Sequence, residues 1–210
     1  MLVPEGEKPT IRAYQETDRA ALYDICVRTA ADGQDARGLY SSDEMMPDVY
    51  AGPYAQLEPG LAFVLADPRA DPPRVVGYVV GTSDTENFVR AYRSTWIPLL
   101  DGKYPVPPDP PRTLEDWLLS SHYRPERMLL AELRDYPAHL HIDLLPDYQG
   151  QGYGTALIET FFAAAAEAGA DGVHVSVAPA NVRAPRFYAR FGFHEIPAGN
   201  DSVLYLGRAL

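Results

Sequence analysis

The segment 139–168 constrains the fold more than any other part of the sequence. Residues 139–145 alternate between polar and apolar types, as a half-buried strand does, and residues 155–168 carry an apolar stripe at helical spacing. The loop 146–154 between them contains Gly150, Gly152 and Gly154. A strand that passes through a glycine-rich loop into a helix directs free backbone N–H groups and the positive end of the helix dipole at one point. The pattern predicts an anion-binding site that could hold phosphate.

The remaining patterns predict an α/β protein. We expect an N-terminal strand at 10–14 and then a helix that begins at Thr17 or Asp18. Further predicted elements are a helix start at 41–44, an antiparallel hairpin of 61–66 and 74–82 joined through 67–73, a strand at 173–177, a short helix over 181–191 and a last strand at 203–206.

The segment 84–136 differs from its surroundings. It contains two predicted helices, at 86–100 and 113–122, and the proline-rich stretch 105–111, which favours an extended conformation. We interpret the chain 1–210 as a single domain in which 84–136 is an insertion that forms one wall of a substrate groove. We expect its aromatic residues Trp96, Tyr104 and Trp117 to anchor it to the core rather than to line that groove.

Charge and cysteine content exclude several functions. The chain of 210 residues has a formal net charge of -11, which is a poor match for nucleic acid or an anionic membrane, so we expect neither as a partner. A single cysteine, Cys26, rules out an internal disulfide and a cysteine zinc cage. The start of the sequence lacks a signal-peptide pattern, and no apolar run is long enough for a membrane span. These features predict a cytoplasmic protein.

The glycine spacing argues against two nucleotide-binding motifs. In a dinucleotide fingerprint that begins at Gly150 or Gly152, Thr155 or Leu157 would occupy the position that requires glycine or alanine. A P-loop is excluded because no lysine follows Lys103.

The spacing Gln149-x-x-Gly152-x-Gly154 resembles the coenzyme A loop of the GNAT superfamily of acetyltransferases. A second motif of that superfamily also has a counterpart, Asn181-x-x-Ala184-x-x-x-Tyr188-x-x-x-Gly192-Phe193. The resemblance implies a GNAT fold, in which a mixed, mostly antiparallel sheet has helices on both faces and splays between the strands 138–145 and 172–178. It also implies acetyl-CoA as the co-substrate.

A narrower resemblance concerns three further segments. Residues 94–98, 140–143 and 206–210 are similar to the acetyltransferase-like C-terminal domain of the protein O-GlcNAcase family, of which this chain would be a stand-alone relative. The eukaryotic domain has lost the glycine-rich loop, whereas this sequence retains it, which favours acetyl-CoA binding here.

The resemblance implies roles for individual residues. It assigns the binding of coenzyme A to Leu144, Leu145, Gln149, Gly150, Gln151, Gly152, Tyr153, Gly154, Thr155, Asn181 and Tyr188. The phenol of Tyr188 matches the general acid of the family. We take Asp143 as the general base, with His141 on the same strand face as the alternative. No metal is expected, because His139, His141 and Asp143 are successive same-face residues of one strand and would not converge on one ion.

The resulting functional hypothesis is acetyl transfer from acetyl-CoA to a primary amine by direct attack in a ternary complex. The acceptor could be a small molecule or a lysine-containing peptide, and transfer of a longer acyl group stays open. The alternative is a non-catalytic acyl-CoA-binding or protein-interaction module. The sequence leaves open whether the protein is a monomer or a homodimer.

Overall fold

The computed structural model describes residues 8–31, 33–70, 73–199 and 202–210. Part of the predicted hairpin connection 67–73, namely residues 71–72, lies outside the described residues, as does the N-terminal segment 1–7.

Seven strands form one sheet. They are β1 (Thr10–Ala13), β2 (Ala62–Asp67), β3 (Arg74–Thr82), β4 (Ala138–Leu144), β5 (Gly172–Val177), β6 (His194–Ile196) and β7 (Leu204–Ala209). Their order is β1-β2-β3-β4-β5-β7-β6, and all neighbours are antiparallel except β4 and β5, which are parallel. The predicted mixed, mostly antiparallel sheet and the β2–β3 hairpin are confirmed. The short strand β6 was not predicted.

The helices include α1 (Arg19–Thr29), α2 (Met45–Tyr50), α3 (Gly52–Leu57), α4 (Thr85–Ala91), α5 (Ile97–Leu99), α6 (Leu114–Tyr123), α7 (Tyr153–Glu167) and α8 (Arg183–Ala189). A π-helical segment, Tyr92–Trp96, joins α4 to α5, so the predicted helix 86–100 is not a regular α-helix. Short 3-10 turns lie at Glu16–Asp18, Pro59–Leu61, Pro125–Met128, Ala131–Leu133 and Pro146–Tyr148. The helix α7 begins two residues earlier than predicted, so Tyr153 and Gly154 belong to its first turn.

Helices cover both faces of the sheet, as predicted. On β3, the side chain of Tyr78 contacts Cys26 of α1. A Cβ atom added to Gly81 would come within 2.5 Å of the ring of Phe161 on α7. Because residues 78 and 81 point to opposite faces of the strand, α1 and α7 pack on opposite sides of the sheet. The predicted apolar face of α7 is buried at Leu157, Ile158, Phe161 and Ala165.

Two aromatic residues anchor the segment 84–136 to the core, as predicted. Trp96 is buried and donates a hydrogen bond from Nε1 to the backbone oxygen of Asp48 at 2.8 Å. The buried carboxylate of Asp48 accepts hydrogen bonds from Tyr104 Oη at 2.7 Å and from Lys103 Nζ at 2.5 Å. The expectation was wrong for Trp117, which is 61% exposed and does not anchor the segment to the core.

Candidate functional site

The sheet opens at the parallel pair β4–β5. The two strands pair only at Ala138 with Val173 and at His139 with His174, so they diverge beyond this point. The backbone N–H of Leu145 donates to Val76 of β3 at 3.0 Å. Because successive backbone N–H groups of a strand point to opposite sides, the N–H of Leu144 points away from β3 and into the opening. The predicted splay is present, and Leu144 presents a hydrogen-bond donor there.

The glycine-rich loop caps the start of α7 next to this opening. Gly150 has a φ of +72° and Gly152, which precedes the first residue of α7, has a φ of +88°, both in the left-handed region that favours glycine. A Cβ atom at either position would meet open space. Glycine is therefore not required here for close packing. It lets the backbone turn so that the N-terminus of α7 faces the opening without side chains in front of it.

The side chains of this loop hold its shape. Gln149 donates from Nε2 to the backbone oxygen of Leu144 at 2.9 Å and ties the loop to the end of β4. Gln151 donates from Nε2 to the backbone oxygen of Asp147 at 2.6 Å. The predicted coenzyme A residue Gln151 thus has a local structural bond that the sequence motif does not specify.

A cavity of about 560 Å³ runs along the loop, and we call it the loop-side cavity. Its lining includes the predicted residues Asp143, Leu144, Gln149, Gly150, Gly152, Gly154, Thr155, Asn181 and Tyr188, together with Arg183 and Arg190 of the α8 segment. Leu145, Gln151 and Tyr153 are not among the lining residues. Leu145 is buried in the core, and the ring of Tyr153 lies 6.5 Å from that of Tyr148.

A second cavity, of about 480 Å³, adjoins the loop-side cavity, and we call it the histidine-side cavity. Both cavities are lined by Thr29, Gly33, Ile142, Asp143, Asn181, Ala184 and Tyr188. The histidine-side cavity is also lined by Tyr50 of α2, Arg127 of the Pro125–Met128 turn, His141 of β4 and Tyr205 of β7. A ligand in one cavity would therefore meet a ligand in the other beside these shared residues.

Asp143 and Tyr188 lie at the junction of the two cavities. Tyr78 donates a hydrogen bond from Oη to Asp143 Oδ2 at 2.5 Å, and burial raises the pKa of Asp143. The side chain of Tyr188 packs against the rings of Phe187 and Phe193, with centroids 5.2 and 5.1 Å away. Burial, and to a lesser extent the charge of Asp143, raise the pKa of Tyr188, so its phenol keeps its proton at neutral pH and can donate it.

Asn181 supports the same junction. Its Oδ1 accepts a hydrogen bond from the backbone N–H of Ala184 at 3.1 Å in the first turn of α8. The second sequence motif therefore fixes the start of the helix that carries Tyr188.

A buried chain of hydrogen bonds behind the histidine-side cavity determines the tautomer of His141. Thr85 donates its single hydroxyl proton to the backbone oxygen of Pro137 at 2.7 Å, so His139 Nδ1, at 2.7 Å, must donate to Thr85. Burial lowers the pKa of His139 well below 6.5, so its ring is neutral and Nε2 accepts from the Tyr54 hydroxyl at 2.8 Å. The oxygen of Tyr54 then accepts the proton of His141 Nε2 at 3.2 Å.

In this tautomer, the lone pair of His141 is on Nδ1. Burial, and to a lesser extent the charges of Arg127 and His174, lower the pKa of His141 to about 4, so the ring is neutral at pH 7. In the described part of the chain every buried side-chain nitrogen or oxygen has a hydrogen-bond partner, and Nδ1 has none among these residues. It follows that Nδ1 is open to the cavity and free to accept a proton.

The same chain of bonds bears on metal binding. Both ring nitrogens of His139 are occupied, by Thr85 and by Tyr54. The described residues contain no group of three histidine, cysteine, aspartate or glutamate side chains arranged to hold a metal ion.

No helix in the described ranges is long and apolar enough to cross a membrane.

Several cavity residues were not found from the sequence. Tyr50, Arg127 and Tyr205 of the histidine-side cavity, and Tyr54 behind it, belong to neither motif and come from four separate elements of the chain. Only the expectation that the segment 84–136 forms one wall of a groove pointed towards Arg127.

The fold and the loop define the class of protein. Residues 34–193 match the Acetyltransferase (GNAT) family, and the chain belongs to it. Membership supports acetyl-CoA-dependent acyl transfer in general.

Two solved structures illustrate the likeness. That of SsHAT is 51% identical, covers 97% of this chain and 98% of its own, and has a TM-score of 0.90. The structure of yncA from Salmonella typhimurium, solved with its cofactor acetyl-CoA, is 16% identical over 97% of this chain and 95% of its own, with a TM-score of 0.55, and shows the fold alone.

Curated relatives are much longer than this chain. Protein O-GlcNAcase of Rattus norvegicus is 26% identical over 214 residues, which cover 100% of this chain but 23% of that protein, and the protein of Mus musculus matches equally. The resemblance to the acetyltransferase-like region of that family is thus confirmed, while this chain spans less than a quarter of those relatives.

Proposed function

We propose that this chain is an N-acetyltransferase that transfers an acetyl group from acetyl-CoA to a primary amine by direct attack in a ternary complex. The observation that carries the proposal is the pair of cavities that share Asp143, Asn181 and Tyr188 where β4 leaves β5. The loop-side cavity has the glycine-rich loop in its wall, the histidine-side cavity has His141, and Asp143 lines both.

The loop-side cavity suits the phosphates and the thioester of acetyl-CoA. The N-terminus of α7 offers backbone N–H groups for a phosphate, and Arg183 and Arg190 supply positive charge in the same wall. The N–H of Leu144, which points into the opening, would stabilise negative charge on the thioester oxygen as the amine attacks.

Proton transfer falls to residues of the junction. The amine has to lose a proton, and Asp143 is our candidate base because burial raises its pKa towards the range in which a carboxylate accepts one. His141 is the alternative, because its tautomer leaves Nδ1 free. Tyr188 would protonate the departing thiolate, since its phenol is protonated at neutral pH.

A calorimetric titration with acetyl-CoA tests the loop first. The variant Gly152→Trp places a side chain in the open space at the start of α7 and should abolish binding. Gly169→Trp is the matched control, because Gly169 has a similar φ of +91°, also faces open space and lies beyond the opposite end of α7. Binding by the wild type and by Gly169→Trp, with none by Gly152→Trp, is the expected result.

The second measurement is the release of coenzyme A thiol in the presence of a panel of primary amines. Turnover supports the transferase. Binding of acetyl-CoA without turnover of any amine would favour the non-catalytic acyl-CoA-binding module instead, and the absence of binding would contradict both.

A further inference from the structure

The histidine-side cavity has one positive and one negative group in its wall. Of the described residues that line it, Arg127 is the only arginine or lysine and Asp143 is the only carboxylate. Asp143 lies at the junction with the loop-side cavity. Arg127 lines the histidine-side cavity but not the loop-side cavity. The cavity is therefore bipolar, with its positive end away from the glycine-rich loop.

Arg127 is held in place without a carboxylate partner. Its Nε donates to the backbone oxygen of Ser121 at 3.4 Å, and its guanidinium carbon lies 6.0 Å from the centre of the Tyr50 ring. The adjacent Glu126 is bound by Arg93, with a nitrogen–oxygen distance of 2.5 Å. Within the described ranges no ion pair involves Arg127, so its charge is available to a ligand.

The charge of Arg127 acts on the cavity wall. Burial is the main cause of the lowered pKa of His141, and Arg127 lowers that pKa further. Burial raises the pKa of Tyr205 on the far strand β7, and Arg127 opposes that rise. Both effects are those of a positive potential, and the two residues that respond to it belong to different strands, β4 and β7. The chain as a whole carries a formal charge of -11, so the Arg127 end of this cavity has the opposite sign to the molecule around it.

We propose that the acceptor is a small amino acid, a primary amine that also carries a carboxylate, with the carboxylate bound by Arg127 and the amine placed next to Asp143. The proposal rests on the proposed transferase function and specifies its acceptor. A guanidinium binds a carboxylate through paired, charge-assisted hydrogen bonds, which are stronger than bonds between neutral groups. A polyamine, which the acidic surface alone would favour, has no carboxylate for Arg127.

The test compares three sets of acceptors of matched length: ω-amino acids with two to six carbons, their primary amides and the corresponding diamines. The release of coenzyme A thiol is measured for each at saturating acetyl-CoA. We expect kcat/KM to be at least about tenfold higher for the best amino acid than for its amide, as the strength of charge-assisted hydrogen bonds implies. The difference should be mainly in KM.

The variants separate the guanidinium from general charge effects. Arg127→Gln should remove the preference for the acid over the amide, and Arg127→Glu should shift it towards the diamines. Arg124→Gln is the matched control, because it removes the same charge from the same segment. Arg124 pairs with Asp109 at 2.7 Å and is absent from the cavity wall. It should keep the wild-type preference.

Three results would overturn the inference: a wild-type preference for amides or diamines, an unchanged preference in Arg127→Gln, or equal losses in Arg127→Gln and Arg124→Gln. If the wild type binds acetyl-CoA but turns over none of these amines, the binding of each ω-amino acid to the coenzyme A-loaded protein is measured by calorimetry. Binding that is lost in Arg127→Gln and kept in Arg124→Gln supports the site even though the transferase function fails, and no binding refutes it.

Discussion

The hydroxyl oxygen of Tyr54 lies 3.2 Å from His141 Nε2, and the same hydroxyl lies 2.8 Å from His139 Nε2. Because His139 can only accept there, Tyr54 donates to it and accepts from His141. One phenol on α3 thus decides which nitrogen of His141 faces the cavity, although His141 itself is on β4.

Removal of this hydroxyl should cost stability. Tyr54→Phe leaves a buried acceptor on His139 and a donor on His141 without partners, and we expect the free energy of unfolding to fall by about 1–3 kcal/mol. Urea unfolding measures this, with Tyr14→Phe as the control, because among the described residues the Tyr14 hydroxyl makes only an exposed bond to Glu16. Equal stabilities of the two variants would contradict the hydrogen-bond chain.

Tyr188 and Asp143 should affect turnover more than binding. A positioned acid or base contributes about 10²–10⁴-fold to a rate, so we expect kcat to fall by at least about 10²-fold in Tyr188→Phe and in Asp143→Asn. Asn keeps an oxygen that can accept the bond from Tyr78, so the wall of the cavity should persist. The Kd for acetyl-CoA, measured by calorimetry, should stay within about twofold. A loss of binding that parallels the loss of kcat would assign these residues to the shape of the pocket instead.

The buried histidines predict a loss of stability in acid. In the unfolded chain histidine takes up a proton near pH 6.5, whereas the pKa of folded His141 is about 4, and those of His139 and His174 are also lowered by burial. Between these values the unfolded state binds more protons, so the free energy of unfolding should fall as the pH is lowered from 6.5 towards 4.

Asp143 opposes this trend, because its raised pKa makes the folded state take up a proton first. Urea unfolding at several pH values in an Asp143→Asn background isolates the histidines. In that background His141→Gln should make the decrease shallower, and a free energy that is the same at pH 7 and pH 5 would contradict the assignment of neutral, buried rings.

Gly81 should tolerate no side chain. A Cβ atom there would lie 2.2 Å from the backbone oxygen of His139 and 2.5 Å from the ring of Phe161, so Gly81→Ala must displace β4 or α7. We expect a loss of about 1–3 kcal/mol in the free energy of unfolding. Gly60→Ala is the matched control, because a Cβ atom at Gly60 meets open space. Thermal unfolding of both variants should therefore show a clear decrease in Tm for Gly81→Ala alone.

The elements with local signals were predicted well. The alternation along β4, the apolar stripe of α7 and the glycines between them place the loop correctly, because each depends on residues that are neighbours in the sequence. The prediction failed where context decides. The strand β6, which is only His194–Ile196, exists because β7 provides a partner, and three residues carry no usable periodicity.

By itself, the sequence determined that a glycine-rich turn lies between a two-faced strand and an amphipathic helix, and that a second motif runs from Asn181 to Phe193 and contains Tyr188. Only the tertiary structure decided which groups meet across the opening. Tyr54 and His141 are 87 positions apart, and Arg127 reaches the cavity from the segment 84–136, whose pattern predicts only helices and an extended proline-rich stretch. Their pairing, burial and charge depend on which strands separate and which helices cover the gap, and no local pattern of residues encodes that.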